Sequence, residues 1–245
     1  MSPTLIAAAV VAVFVGMLAY GIWWHNFGDG KTKREAEAKQ ARERKSRLLA
    51  HGWEYEELTE GDIRYRVRGR TEEGVDWVLH YDTDHASSSS TPSLVFRATS
   101  LGNGSYVWHL DDRPSFEIAQ GKVAKALISG LATMVGKLSE SIRVKNDFYT
   151  TAKPLPVGSA NFSKRFVLVA KESRWSPLVD FETERLILNI PAFKPGMSRS
   201  DNCFSAGLDP EGLMIKLYAD GPSTEVIEHI IRLGQALADR SQRLR

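Results

Sequence analysis

Apolar and polar residues alternate with different periods in successive parts of the chain. From Leu5 to Trp24 no charged residue interrupts LIAAAVVAVFVGMLAYGIWW. At about 1.5 Å per residue a helix of that length reaches about 30 Å, the thickness of a bilayer's hydrocarbon core. Tyr20, Trp23 and Trp24 stand at its end, where amphipathic rings favour the headgroup boundary. The stretch predicts a transmembrane helix over 5–24. A cleaved signal peptide fits less well: Met1 to Thr4 carry no basic side chain, the apolar core is long, and bulky residues occupy its exit.

The next segment, KTKREAEAKQARERKSRLLAHG, is rich in Ala, Glu, Lys and Arg. Glu35/Lys39 and Glu43/Arg47 stand at helical i,i+4 spacing, so 25–52 reads as a charged spacer helix with Gly52 at its end. Beyond Gly52 the period falls to two. Trp53–Leu58 is a short strand, and Ile63, Tyr65 and Val67 alternate with Arg64, Arg66 and Arg68. Thr71–Gly74 is a turn, after which Val75, Trp77, Leu79 and Tyr81 resume the alternation, which predicts a hairpin with one buried face. Ser87–Ser90 reads as a loop, and Leu94–Thr99 and Tyr106–Leu110 as strands around Gly102-Asn103-Gly104.

Val123, Leu127, Leu131, Met134 and Leu138 give a helical stripe within Phe116–Leu138. Pro154 and Pro156 mark a boundary between possible halves 53–150 and 157–245. Phe162–Ala170 reads as a strand, and Ser176-Pro177 as the start of a helix ending at Pro191. Cys203–Leu208 and Leu213–Ala219 flank the turn Asp209–Gly212. Val226, Ile230, Leu233 and Leu237 line a last helix opened by Ser223 or Thr224. Mostly antiparallel strands interspersed with helices give an α+β class, the sheet packed with helices.

Composition narrows the class. With 19 Gly, 10 Pro and one Cys in 245 residues, collagen-like, disordered and disulfide-stapled chains are excluded. A formal charge of +2 is too small for a dedicated nucleic-acid binder. Charge is uneven, however. Lys31, Lys33, Arg34, Lys39, Arg42, Arg44, Lys45 and Arg47 face only three acids between 31 and 47, a local +5 that leaves −3 elsewhere. Basic residues flanking a span stay cytoplasmic, which places 1–4 outside and 53–245 inside, as in a bacterial inner membrane. The single cysteine agrees with a reducing compartment. The same basic residues suit contact with anionic headgroups, at about 1 kcal/mol each. Ala8, Ala12 and Gly16 recur every four residues, a spacing that permits close approach of two spans and a homodimer.

Chemistry-bearing residues are few. His80, Asp82 and Asp84 share one strand face, with His85 beyond them, and such side chains ligate metals. Their spacing matches no established ligand set, and pairing of Arg64, Arg66 and Arg68 with Asp76 and Asp82 across the hairpin is the favoured account. The arginine stripe also suits a phosphate or an acidic partner. Gly130 to Leu138 fails as a phosphate loop, with five residues between the glycines and Leu after Lys137. Cys203 reads as a buried thiol, Ser200 and Ser205 lack a nucleophile-elbow context, and Asp111-Asp112 reads as a turn before a helix. His51, His109 and His229 read as isolated.

Phe162, Phe166, Leu168 and Val169, the segment Leu178–Ile190 and Gly212–Ile215, taken with the anchor, resemble bacterial single-span membrane-anchored proteins of unknown function. The resemblance implies an anchor and an α+β domain; that group has no agreed activity, so it carries over no catalytic residue. The expectation is a single-pass protein whose cytosolic domain is a binding or scaffold module for a protein partner, without cofactor. The alternative is a membrane-tethered metal- or phosphate-dependent enzyme using the His80/Asp82/Asp84 face with Arg64 and Arg66.

Overall fold

The computed structural model of the chain describes residues 13–18, 20–21, 29–58, 62–83, 92–113, 148, 151–190 and 204–245. The chain divides into two compact units, Met1–Ala50 and His51–Arg245. In the first, residues 13–18 and 20–21 are helical. Val13, Phe14, Val15, Met17, Leu18 and Tyr20 are each between 58% and 68% exposed, so apolar groups face outward all round that helix. Most of the stretch 5–24 lies outside the described residues, and among these no helix is long and apolar enough to cross a membrane. Helix α1 (Asp29–Ala50) carries charge round its whole circumference rather than on one face, with Lys39 and Glu43 paired at 3.9 Å.

The second unit is built on one nine-stranded antiparallel sheet. Its strands are β1 (Glu54–Glu57), β2 (Ile63–Arg70), β3 (Asp76–Asp82), β4 (Ser93–Ala98), β5 (Trp108–Asp112), β6 (Lys153–Leu155), β7 (Phe166–Ala170), β8 (Phe204–Asp209) and β9 (Gly212–Tyr218). They lie in the order β1-β2-β3-β4-β9-β8-β5-β7-β6. The expected β2–β3 hairpin forms, with Tyr65, Val67, Trp77, Leu79 and Tyr81 buried on its inner side. Thr71 closes the turn: its hydroxyl accepts from Val75 N at 3.1 Å.

β4 and β5 are not partners, contrary to the hairpin expected round Gly102–Gly104. β4 lies between β3 and β9, and β5 between β8 and β7. A 3-10 turn at Thr99–Leu101 and the packing of Gly102 against Pro210 and Glu211 lead the chain away from β4. The stretches 53–150 and 157–245 consequently interleave in a single sheet. Pro154, expected in a loop, lies in edge strand β6, where a missing N–H costs no inner ladder bond.

Two further boundaries differ from expectation. Residues 160–165 are a short helix, α2 (Ala160–Arg165), because Ser159 Oγ caps Phe162 N at 3.3 Å; extended backbone begins only at Phe166. Ser176-Pro177 sits inside a 3-10 turn, Ser173–Leu178, and α3 (Phe181–Leu188) is capped instead by Asp180, which accepts from Thr183 N at 2.9 Å. The β8–β9 hairpin forms as expected, held by Asp209 Oδ1 accepting from Glu211 N at 2.8 Å. Gly212 has φ +129°, and a Cβ there would lie 2.4 Å from Ala98 O, so the turn requires glycine.

Helix α4 (Thr224–Arg243), capped by Ser223, buries Val226, Ile230, Leu233 and Leu237 as its stripe predicts, together with Ile227 and Ile231. Gly234 brings it so close to β4 that a Cβ would stand 2.5 Å from the Phe96 ring. An aromatic stack runs through the same region: Trp53 meets Trp77 edge-on at 5.8 Å, and Trp77 stacks on Phe96 at 5.5 Å. The sheet's inner face and α4 therefore form the main core. The predicted helix Phe116–Leu138 and the loop Ser87–Ser90 lie outside the described residues.

Candidate functional site

The outer face of the sheet carries the polar candidates, because strand alternation sends every second side chain away from α4. One cross-strand row runs through Glu56, Arg66, His80, Val95 and Lys216. It continues through Ser205 and Asp111 to Val167. A neighbouring row includes Arg68, Arg97, Gly207, His109 and Val169.

At the β1–β4 end the face is ionic. Arg66 and Arg68 both approach Glu56 Oε2, at 3.4 and 3.5 Å. Asp76 is held by Arg70 in a two-pronged pair of 2.7 and 3.0 Å, not by the three arginines expected to use it. The register explains this correction: Arg70 stands directly opposite Asp76, whereas Arg66 and Arg68 stand opposite glutamates of β1. The Arg70 guanidinium, by hydrogen bond and charge, holds the Asp76 carboxyl below its ordinary range. Arg97 reaches Glu211 in the β8–β9 turn at 2.9 Å.

His80 lies half-buried on this face. Burial holds its imidazole below the ordinary value, Arg97 and Arg66 adding to the effect and Asp82 opposing it. His80 and Asp82 thus share a face as expected, while Asp84 and His85 lie outside the described residues. Among the described residues no three His, Cys, Asp or Glu side chains come together as a metal site.

At the β5–β7 end the same face changes character. Val167 and Val169 are buried with Phe148 and Ala152, and Tyr106 packs against them. Beside this patch His109 Nε2 donates to Asp111 Oδ1 at 3.0 Å, both side chains almost covered. The reading of Asp111-Asp112 as a turn is overturned: both end strand β5. His109 Nδ1 faces Gly207, where a Cβ would be 2.6 Å away, so backbone rather than a nucleophile occupies that side of the ring. The pair is a buried polar anchor. Its signal, His and Asp two residues apart on a strand, was present in the sequence.

Two more histidines among the described residues have partners. His51 stacks on Trp53 at 4.6 Å and lies 3.5 Å from buried Glu228, and His229 Nε2 donates to Leu186 O at 2.6 Å. Of the N-terminal residues, Gly16 has no neighbour within 4 Å of a built Cβ, whereas Leu5, Ala8, Ala12, Trp23 and Trp24 lie outside the described residues. Lys39, Arg42, Arg44, Lys45 and Arg47 lie on α1, as do Lys31, Lys33 and Arg34. Comparison with protein-family models, curated proteins and solved structures finds no match.

Proposed function

We propose that the protein is a single-span, membrane-anchored binding module. Residues 5–24 cross the bilayer, 1–4 face outward, and 53–245 form an α+β domain in the cytoplasm. One observation carries this reading: Val13, Phe14, Val15, Met17 and Leu18 are helical yet more than half exposed on all sides. A helix apolar all round is stable only inside a protein core or in lipid, and among the described residues none buries these side chains. The even spread of charge round α1 supports a solvated spacer over a helix lying flat on the membrane, which would need one apolar face. Its first basic residues, Lys31, Lys33 and Arg34, supply the cytoplasmic topology signal and contact to anionic headgroups. The mutual pairing of the outer-face charges, which Arg66, Arg68 and Arg97 illustrate, disfavours the alternative of an enzyme built on that face.

Alkaline carbonate extraction of membranes tests the anchor. The full chain stays in the pellet, and a chain starting at Asp29 is released. Protease applied outside spheroplasts leaves the domain intact. Release of the full chain, or digestion of the domain from outside, overturns the reading.

A further inference from the structure

Where β7 ends, the loop 103–107, the segment 171–175 and Arg245 surround a cleft of about 120 Å³. Three cationic side chains from two separate parts of the chain line it: Lys171, Arg174 and Arg245. Several of its acceptors already take a donor from within the cleft. Asn103 Oδ1 accepts from Ser105 N and Oγ at 3.1 and 3.0 Å, and Glu172 Oε2 accepts from Arg174 Nε at 3.0 Å. The main-chain oxygen of Arg245 accepts from Arg174 Nη1 at 3.3 Å, and Arg245 Nη2 donates to Leu101 O. Donors remain in excess. The Lys171 ammonium enters no ion pair among the described residues and has three N–H groups to give, while each guanidinium has five. Burial, then the charges of Asp209 and Glu211, hold the Tyr106 phenol above its ordinary range, so its hydroxyl stays protonated and able to donate.

We propose that this cleft binds one oxyanion, the carboxylate or phosphate at the end of a larger ligand, with Lys171 and Arg245 as its charge partners. A lining with three cationic side chains against the one carboxylate of Glu172 matches an oxyanion, and charge-assisted hydrogen bonds are the strongest kind available to it. The small volume sets the mode of binding. Sites that enclose a whole drug-sized molecule measure about 300–1,000 Å³, so this one takes a terminal group and leaves the rest of the ligand in solvent. The inference does not rest on the membrane anchor, and either can fail alone.

Calorimetric titration of the full chain in detergent with sodium acetate and with inorganic phosphate tests it, with sodium chloride at matched ionic strength as reference. Saturable binding of at least one oxyanion is expected. Binding of phosphate alone assigns a phosphate terminus, and binding of acetate alone or of both assigns a carboxylate-compatible site. Lys171→Gln weakens binding about tenfold, the worth of one charge-assisted hydrogen bond. It leaves the unfolding midpoint unchanged, because Lys171 holds no ion pair. Lys164→Gln, on exposed α2, leaves binding unchanged. A response to chloride equal to that for both oxyanions, or full affinity in Lys171→Gln, overturns the proposal.

Discussion

Residues 13–18 and the sheet unit treat the same residue types in opposite ways. In residues 13–18 valine, leucine, methionine and phenylalanine point outward, 58–68% exposed. In the sheet unit such side chains are packed inside, and Phe96, Leu79, Leu110 and Phe162 are completely buried. Phe181, 84% exposed at the start of α3, is the one exposed large apolar side chain among that unit's described residues. Burial of apolar surface is the dominant favourable term when water is the solvent. The exposed apolar residues of the first unit and the ordinary core of the second are what the proposed anchor expects, with lipid around the one and water around the other.

The largest effect that can sharpen this comparison lies in the core. Phe96→Ala removes a ring that meets both Trp77 and Gly234, and is expected to cost about 3–5 kcal/mol, read as a lower denaturant midpoint in tryptophan fluorescence. Phe181→Ala, the same chemical change at an exposed site, leaves that midpoint within error. Equal losses from the two would erase the distinction between buried and exposed apolar groups.

Next comes a charge in the N-terminal helix. Val15→Arg is expected to disfavour insertion by about 2.5–3.5 kcal/mol, shifting protein from the membrane pellet to the supernatant, because Val15 lies near the middle of 5–24. The midpoint of the sheet unit does not move. If the unfolding midpoint fell instead, the helix would be packed in a protein core.

A smaller effect is expected from His80. Burial favours its neutral form when folded, so the unfolded chain binds more protons below its ordinary value of 6.5. The stability His80 contributes is complete above 6.5 and is lost as pH falls through the lower folded value. Between about pH 8 and about pH 5 the wild-type midpoint should fall further than that of His80→Gln. Parallel pH profiles would contradict the burial of this ring. The smallest effect belongs to Asp76→Asn: both side chains of the Arg70–Asp76 pair are largely exposed, and no change in midpoint is expected.

Local patterns in the sequence carried most of the elements, and non-local pairing accounts for most of what they missed. The alternation from Ile63 to Tyr81 specifies its own hairpin, since the pairing strands adjoin a short turn. Likewise Asp209–Gly212 and the stripe from Val226 to Leu237 are self-contained. Nothing local in Leu94–Ala98 says that β9, more than a hundred residues later, will lie beside it. The separation of β4 from β5 is invisible for the same reason. Capping misled at α3: Ser176-Pro177 has the right residues for a helix start, but Asp180 captures Thr183 N and begins the helix later. At the outer face the arginine stripe was legible from period two alone. Its partner Glu56 was not, because choosing between Glu54, Glu56 and Asp76 requires the register of a third strand. The cleft lined by Lys171, Arg174 and Arg245 gave no local signal at all, since Arg245 comes from a distant part of the chain.

The claim that two solvents surround this chain is tested most directly by labelling depth. In a Cys203→Ser background, single cysteines are introduced as Val15→Cys and Phe181→Cys, spin-labelled, and reconstituted in lipid bilayers. The account predicts that the label at position 15 relaxes with oxygen, which partitions into lipid, and is shielded from a water-soluble nickel chelate. At position 181 the order is reversed. Equal access of the nickel chelate to both positions would contradict the account.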